Sequence, residues 1–284
     1  MKRKIFAGLM LTAIATGGFA SESDGIFTYR VGRFEVNMLV EREGDGNTTI
    51  IPSASQDVLN RYIPASGFKS STNAFLIKAP GQNILVDTAF GGPAYEKMKK
   101  LGVEPEQVDA VLITHLHGDH FAGLVRNGAA LLPRAKIYLA VREHEHFTKT
   151  QPNQGAMAAL TPYGSNVITF EPSALGGPNR ELFPGITPIA NYGHTPGHTV
   201  FLIEDGGTRL IIAGDFLHIA PVQFPVPGIS ATYDMDQAAA AASRRQLMDY
   251  AAKNKVLLGG MHIAYPGIGS VEADGNGYRF IPLR

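Results

Sequence analysis

Cysteine is absent from all 284 residues. That excludes disulfides, thiolate nucleophiles and every zinc site built on sulfur, so a metal would have to be held by imidazole and carboxylate. Tryptophan is absent as well, which leaves aromatic packing to 15 Phe and 10 Tyr. Nor is one sign of charge in surplus, because 25 Lys and Arg balance 25 Asp and Glu. Nucleic-acid and anionic-membrane binders need a basic excess, so both classes are disfavoured. What is present is a large apolar fraction, 44% against 18% charged residues. A sizeable core is therefore available, and disorder is not expected.

The first residues read as an export signal. Lys2, Arg3 and Lys4 precede an apolar stretch from Ile5 to Ala15, and Gly18 and Ala20 occupy the small-residue positions ahead of a cleavage point. This predicts a signal peptide over 1–20, one domain over 21–284, and a periplasmic or secreted location. The apolar run falls short of the roughly 20 residues that a membrane span requires. No membrane association is expected once the signal is removed.

Periodicity predicts strands more often than helices. Phe34, Val36, Met38 and Val40 alternate with other residues as in a half-buried strand, and Asn73–Ala79 with Ile84–Asp87 flank a Pro-Gly turn as a hairpin. Pro93 opens a short helix that Gly102 stops. Further strands are expected at 111–113, 136–141, 167–170, 199–204 and 209–213, with 255–258 as the last. Helices are expected around 143–150 and over 238–253, the latter with Leu247 and Tyr250 on one face and Arg244 elsewhere. Helices spread through both halves favour layers outside two stacked sheets.

The chemistry concentrates in Thr114-His115-Leu116-His117-Gly118-Asp119-His120, directly after the apolar strand at 111–113. His115 and His117, two apart in extended chain, can aim at one ion. Asp119 and His120 are neighbours and cannot share that direction, so they suit a second ion, with Gly118 allowing a sharp turn between the pairs. Three more ligand types follow apolar strands: His194 in Gly-His-Thr-Pro-Gly-His, Asp215 in Ala-Gly-Asp and His262 in Gly-Gly-Met-His. Two dications about 3.5–4 Å apart need a bridging anion, and a carboxylate can give one oxygen to each, which makes Asp215 the bridge candidate.

Together, H-x-H-x-D-H, G-H-T-P-G-H, the Gly-Asp and the late Gly-x-His resemble the metallo-β-lactamase superfamily of binuclear hydrolases. The branch most resembled is that of the methyl parathion hydrolases, through Ala220-Pro221-Val222-Gln223-Phe224 and His262-Ile263-Ala264-Tyr265-Pro266-Gly267. The resemblance implies an α/β fold, an αβ/βα four-layer sandwich with the site at one edge of its sheets. It implies two divalent ions per chain, zinc first, with manganese, cobalt or iron as alternatives. His115, His117 and His194 would hold one ion, Asp119, His120 and His262 the other, and Asp215 both. Asp87 would hold the metal loop as an acceptor, and His198 would orient the His194 loop by hydrogen bonding. Phe90, Phe147, Phe224 and Tyr233 become pocket-wall candidates. His218 is either a polar pocket group or proton carrier, or a structural hydrogen-bonder. His144 and His146 read as a solvated helix surface.

The expected reaction is attack of a metal-bridging hydroxide on a lactone or other ester, with Asp119 or a water returning the proton to the leaving group. Phosphotriesters are the second substrate class. Antibiotic-hydrolysing members carry Cys or Ser where Asp215 stands, so β-lactams rank lower. A thioester hydrolase, a mononuclear iron oxygenase and a protein with one closed structural metal remain alternatives that metal content per chain would separate. A homodimer is consistent with the resemblance, although no sequence feature decides it.

Overall fold

The computed structural model describes residues 24–284. The expected signal peptide at 1–20 lies outside the described residues. From Asp24 the chain forms β1 (Ile26–Val31), β2 (Phe34–Asp45), α1 (Gln56–Tyr62), β3 (Lys69–Ala79), β4 (Gln82–Val86), α2 (Pro93–Lys100) and β5 (Ala110–Leu112). Then come α3 (Gly118–Phe121), β6 (Val125–Arg126), β7 (Ala129–Ala130), β8 (Lys136–Ala140), α4 (Val141–Glu145), α5 (Gln154–Leu160) and β9 (Val167–Phe170). The second half holds β10 (Ile186–Ala190), β11 (Thr199–Asp205), β12 (Thr208–Ile212), α6 (Ala220–Gln223), α7 (Gln237–Asn254), β13 (Leu257–Gly259), β14 (Ile268–Asp274) and β15 (Gly277–Pro282).

Seven strands form one sheet in the order β1-β2-β3-β4-β5-β8-β9, and six form another in the order β10-β11-β12-β13-β14-β15. The two-residue period of a strand explains how they stack. Val36, Met38, Phe75, Ile77, Ile84 and Val86 point from the first sheet into a common layer with Phe201, Ile203, Leu210 and Ile212 from the second. Their alternates Leu39, Leu76, Leu85 and Val111 face outward and pack under Ala94 and Met98 of α2 and Ala156 and Leu160 of α5. On the far side, Val200, Leu202 and Ile211 pack under Leu247, Met248 and Ala251 of α7. The result is helix, sheet, sheet, helix: the four-layer αβ/βα sandwich. Among the described residues no helix is long and apolar enough to cross a membrane.

Several expectations need correction. β2 is buried on both faces, Asn37 included, because α2 covers one side and the second sheet the other. The Asn37 amide meets this burial by bonding to Thr28 Oγ1 (2.7 Å) and the Leu76 carbonyl (3.4 Å). The strand expected at 255–258 is β13 at Leu257–Gly259, since Lys255 is the left-handed C-cap of α7 (φ 55). It is not the last strand: β14 and β15 follow as a hairpin turning through Gly275-Asn276. Arg244 is fully buried instead of lying off the packed face of α7. It donates to the carbonyls of Phe216 (2.6 Å), Pro227 (2.8 Å) and Ile229 (2.9 Å) and to Asp234 (3.1 Å). His144 and His146 are half-buried, not solvated, and the His146 ring lies edge-on to Phe147.

Candidate metal centre

The site forms where strands of both sheets end. Beyond β4, Asp87 adopts the left-handed conformation (φ 55), which an Asp tolerates better than most residues. Its carboxylate accepts from Thr114 N (2.8 Å), Thr114 Oγ1 (2.7 Å) and His120 Nδ1 (2.7 Å), so one buried acid clips down both ends of the 114–120 loop. The loop leaves β5 extended as far as His117, the N-cap of α3, whose single turn presents Asp119 and His120. Gly118 is the first helical residue, and a Cβ there would meet nothing within 4 Å. The change of direction is therefore the helix start itself and not a turn that only glycine permits.

The second half brings the remaining groups. His194 stands in the loop between β10 and β11, with Nδ1 on Asp234 Oδ1 at 2.9 Å. Asp215 follows β12 after Gly214 (φ 52), where a Cβ would approach His198 Nε2 to 2.6 Å. His198 fixes this corner by donating Nδ1–H to the Asn191 carbonyl (2.9 Å) and accepting Asp215 N–H at Nε2 (3.0 Å). It thus anchors the start of the His194 loop and the Asp215 backbone together. His262 follows β13 and places Nδ1 on the Ser71 carbonyl of β3 (2.8 Å). Each of these outer hydrogen bonds fixes a tautomer and leaves Nε2 facing inward.

All seven ligand-type residues meet. His194 Nε2 lies 3.1 Å from His115 Nε2 and 3.0 Å from His117 Nδ1. Asp215 Oδ2 is 3.3 Å from His194 Nε2 and 3.7 Å from His115 Nε2, while Oδ1 is 3.2 Å from His120 Nε2. Asp119 approaches His120 Nε2 (3.6 Å) and His262 Nε2 (3.5 Å). Among the described residues, His115, His117, His194 and Asp215 form one group and Asp119, His120 and His262 another, while His218 forms two more, with His194 and Asp234 and with Asp215 and His262. Asp215 stands between the first two.

The donor chemistry suits cations. Burial drives His115 and His117 below the ordinary histidine range, and takes His194 down to about 3 and His198 down to about 4. Burial also opposes charge on His120 and His262, but Asp215 and Asp119 outweigh it and raise both. Burial would raise Asp215, yet His120, His262 and His115 around it hold it well below the carboxylate range. His120 Nε2 and Asp215 Oδ1 are buried and, although 3.2 Å apart, form no aligned hydrogen bond with each other or with another group. Buried polar atoms are rarely left so, and a divalent cation satisfies neutral ring nitrogens and ionised oxygens together.

Three of the five pocket candidates line a cleft of about 650 Å³ over this centre: Phe90, His218 and Tyr233. Phe90 and Tyr233 are 43% and 53% exposed at its rim. His218 stacks on His262 (5.0 Å, 20°) with Nε2 3.2 Å from Asp215 Oδ2. Phe224 is not a wall residue: it is 2% exposed and stacks on Phe280 in the core under α7. Phe147 is buried too and touches the site only through the edge of the His117 ring, 6.2 Å between centroids.

Sequence reasoning missed two buried acids. Asp234 joins His194 to Arg244, as described. Glu143 of α4 accepts from Leu116 N (2.7 Å), Thr195 Oγ1 (2.8 Å) and Gly197 N (2.9 Å), tying the His115–His117 segment to the His194 loop. Burial pushes the Glu143 carboxyl up to about 7. Neither acid belongs to a motif, and nothing in its neighbours marks it.

Comparison with known proteins agrees with the architecture. The solved structure of hydrolase AbOPH in the beta lactamase superfamily superposes with a TM-score of 0.82 at 26% identity, covering 92% of this chain and 98% of that one. AidC, a dizinc quorum-quenching lactonase, superposes at 0.80 with 22% identity and the same coverage, a likeness of fold. An N-acyl homoserine lactonase of Bacillus sp is 30% identical over 112 residues, 38% of this chain and 37% of that protein. The chain spans at most 60% of the length of the curated relatives that it matches. The model of the family described as the metallo-beta-lactamase superfamily matches residues 67–259, well over half of the sequence and the whole span from β3 to β13. The chain belongs to the metallo-beta-lactamase superfamily.

Proposed function

We propose that the protein is an exported, binuclear metal-dependent hydrolase that opens a lactone or another carboxylic ester. The observation that carries this reading is Asp215: its Oδ1 lies 3.2 Å from His120 Nε2, and its Oδ2 lies 3.3 Å from His194 Nε2 and 3.1 Å from His262 Nε2, so one carboxylate meets ring nitrogens of both groups. In this reading His115, His117 and His194 would hold one dication, Asp119, His120 and His262 would hold the other, and Asp215 would serve both. Zinc suits such nitrogen and oxygen donors, and the lactonases among the similar proteins favour an ester substrate. Bound there, two dications supply hydroxide from water near neutral pH and polarise the carbonyl that is attacked.

The protein's own groups do the rest. Asp234, Asp87 and the Ser71 carbonyl hold His194, His120 and His262 by their outer nitrogens, so the inner ones stay aimed without reorganisation. Asp119, its side chain 27% exposed, is the ligand-type carboxylate that opens on the cleft. It is placed to pass a proton to the leaving alkoxide. Phe90 and Tyr233 offer apolar surface at the rim for the acyl or alcohol portion.

The test is a metal-analysed, purified enzyme assayed against lactones, aryl esters, phosphotriesters and β-lactams with zinc, cobalt or manganese supplied. Two ions per chain and turnover of the carboxylic esters are expected. Asp215→Ala and His115→Ala should each abolish turnover while circular dichroism keeps the wild-type form. One ion per chain, or wild-type rates in either variant, would refute the mechanism.

A further inference from the structure

The cleft holds a charge that the centre does not use. Arg42 lines it, on the strand β2, and registers opposite Thr72 of β3. The residue before Thr72 is Ser71, whose carbonyl holds His262, so the Arg42 backbone stands within about two strand spacings of that imidazole. Its guanidinium lies over the Phe90 ring, 5.7 Å from the centroid, where both face the cleft. Among the described residues the Arg42 side chain makes no ion pair and donates no hydrogen bond.

The acids of its own strand are engaged elsewhere. Glu41, the residue at which the β2–β3 register shifts, turns to the buried face and accepts from Gly92 N (3.2 Å) and Ala94 N (2.7 Å) at the start of α2. Glu43 accepts from Tyr265 N (3.2 Å), and Asp45 pairs with Lys69 (2.7 Å). A guanidinium offers five N–H donors in a planar fork suited to carboxylate, and here the fork has no partner among the described residues.

We infer that Arg42 is a specificity-determining residue that receives a carboxylate carried by the substrate away from its scissile ester. This rests on the proposed ester hydrolysis and narrows its substrate class to anionic esters and lactones. The bond to Arg42 forms on binding and persists through the reaction, so its loss raises KM more than it lowers kcat. Stacking on Phe90 sets the fork's direction and keeps its apolar flank out of water.

The experiment uses the metal-loaded enzyme and two probes of equal length, the nitrophenyl half-ester of adipic acid and the nitrophenyl ester of hexanoic acid. Arg42→Met keeps the stem over Phe90 and removes the charge. It is expected to lower kcat/KM for the adipate half-ester about tenfold or more, through KM, and to leave the hexanoate ester within about twofold. Arg42→Lys should retain part of the preference, and rising salt should erode it in the wild type. An equal loss on both esters would make Arg42 a support for Phe90 and overturn the inference. Calorimetric titration with adipate and with hexanoate reads binding without turnover. A wild-type advantage for adipate that survives in Arg42→Met also overturns it, as does no advantage at all. Failure of the wild type to cleave either ester counts against ester hydrolysis, not against the anion site that calorimetry reads.

Discussion

At the scale of single residues, the centre is governed by what lies behind the ring nitrogens. Glu143 is none of the seven central groups, yet its three accepted hydrogen bonds hold the two loops that carry four of the five central histidines. In Glu143→Gln one of the two oxygens becomes an amide that faces a donor. We expect zinc affinity to fall about 10–100-fold, as for other supporting hydrogen bonds around metal sites. Competition with a chelator measures this, and unchanged circular dichroism separates it from unfolding. The seven central residues were legible in the sequence because chelation admits few residue types and demands fixed spacings, as in His115-Leu116-His117. Glu143 and Asp234 were not, because an acid that receives backbone N–H groups looks like any acid on a helix or in a loop. Phe224 was misplaced for a related reason: an aromatic side chain serves a core and a pocket wall equally well.

At the scale of elements, two glycines set how closely the His194 loop approaches its neighbours. Gly193 sits at φ 128, and a Cβ there would lie 2.1 Å from Ala240 N of α7. A Cβ on Gly197 would lie 2.3 Å from the Glu143 amide of α4. Backbone this close cannot yield as a side-chain tip can. Gly193→Ala should therefore lower stability by about 1–3 kcal/mol in urea denaturation and reduce the metal retained on gel filtration. The hairpin β3–β4 and the pair β11–β12 were readable because apolar alternation and Gly-containing turns coincide there. β14–β15 was passed over because Glu272, Asp274 and Arg279 dilute the pattern, although the two-residue turn at Gly275-Asn276 is a hairpin signal. The burial of Arg244 lies beyond local pattern, since its carbonyl partners come from 15 to 28 residues away.

For the whole molecule, the buried histidines set how stability depends on pH in protein treated with chelator. His115, His117, His194 and His198 have folded pKa values below the unfolded 6.5. Below that pH the unfolded chain binds protons that the folded chain refuses, so their stability is lost as pH falls, by about 1.4 kcal/mol per unit for each fully shifted group. Glu143, raised to about 7, acts oppositely between its ordinary value of 4.5 and 7, and Asp87, also raised by burial, acts in the same sense, but these are two groups against four. His120 and His262 are raised, so their contribution is complete below 6.5 and is lost as pH climbs through their folded values. Metal-free protein should thus be most stable near pH 6.5 and weaker on either side in denaturant titrations. A profile that rises steadily from pH 5 to 9 would contradict this.

The hydrogen bond from His262 to the Ser71 carbonyl ties a residue beyond β13 to a strand made almost two hundred positions earlier. A nascent chain that has emerged only as far as β12 carries every central imidazole but this one. On the proposed two-ion reading, capture of the second ion waits for His262 and falls among the last events of biogenesis, and a truncated product would be left without the grip that marks a finished molecule.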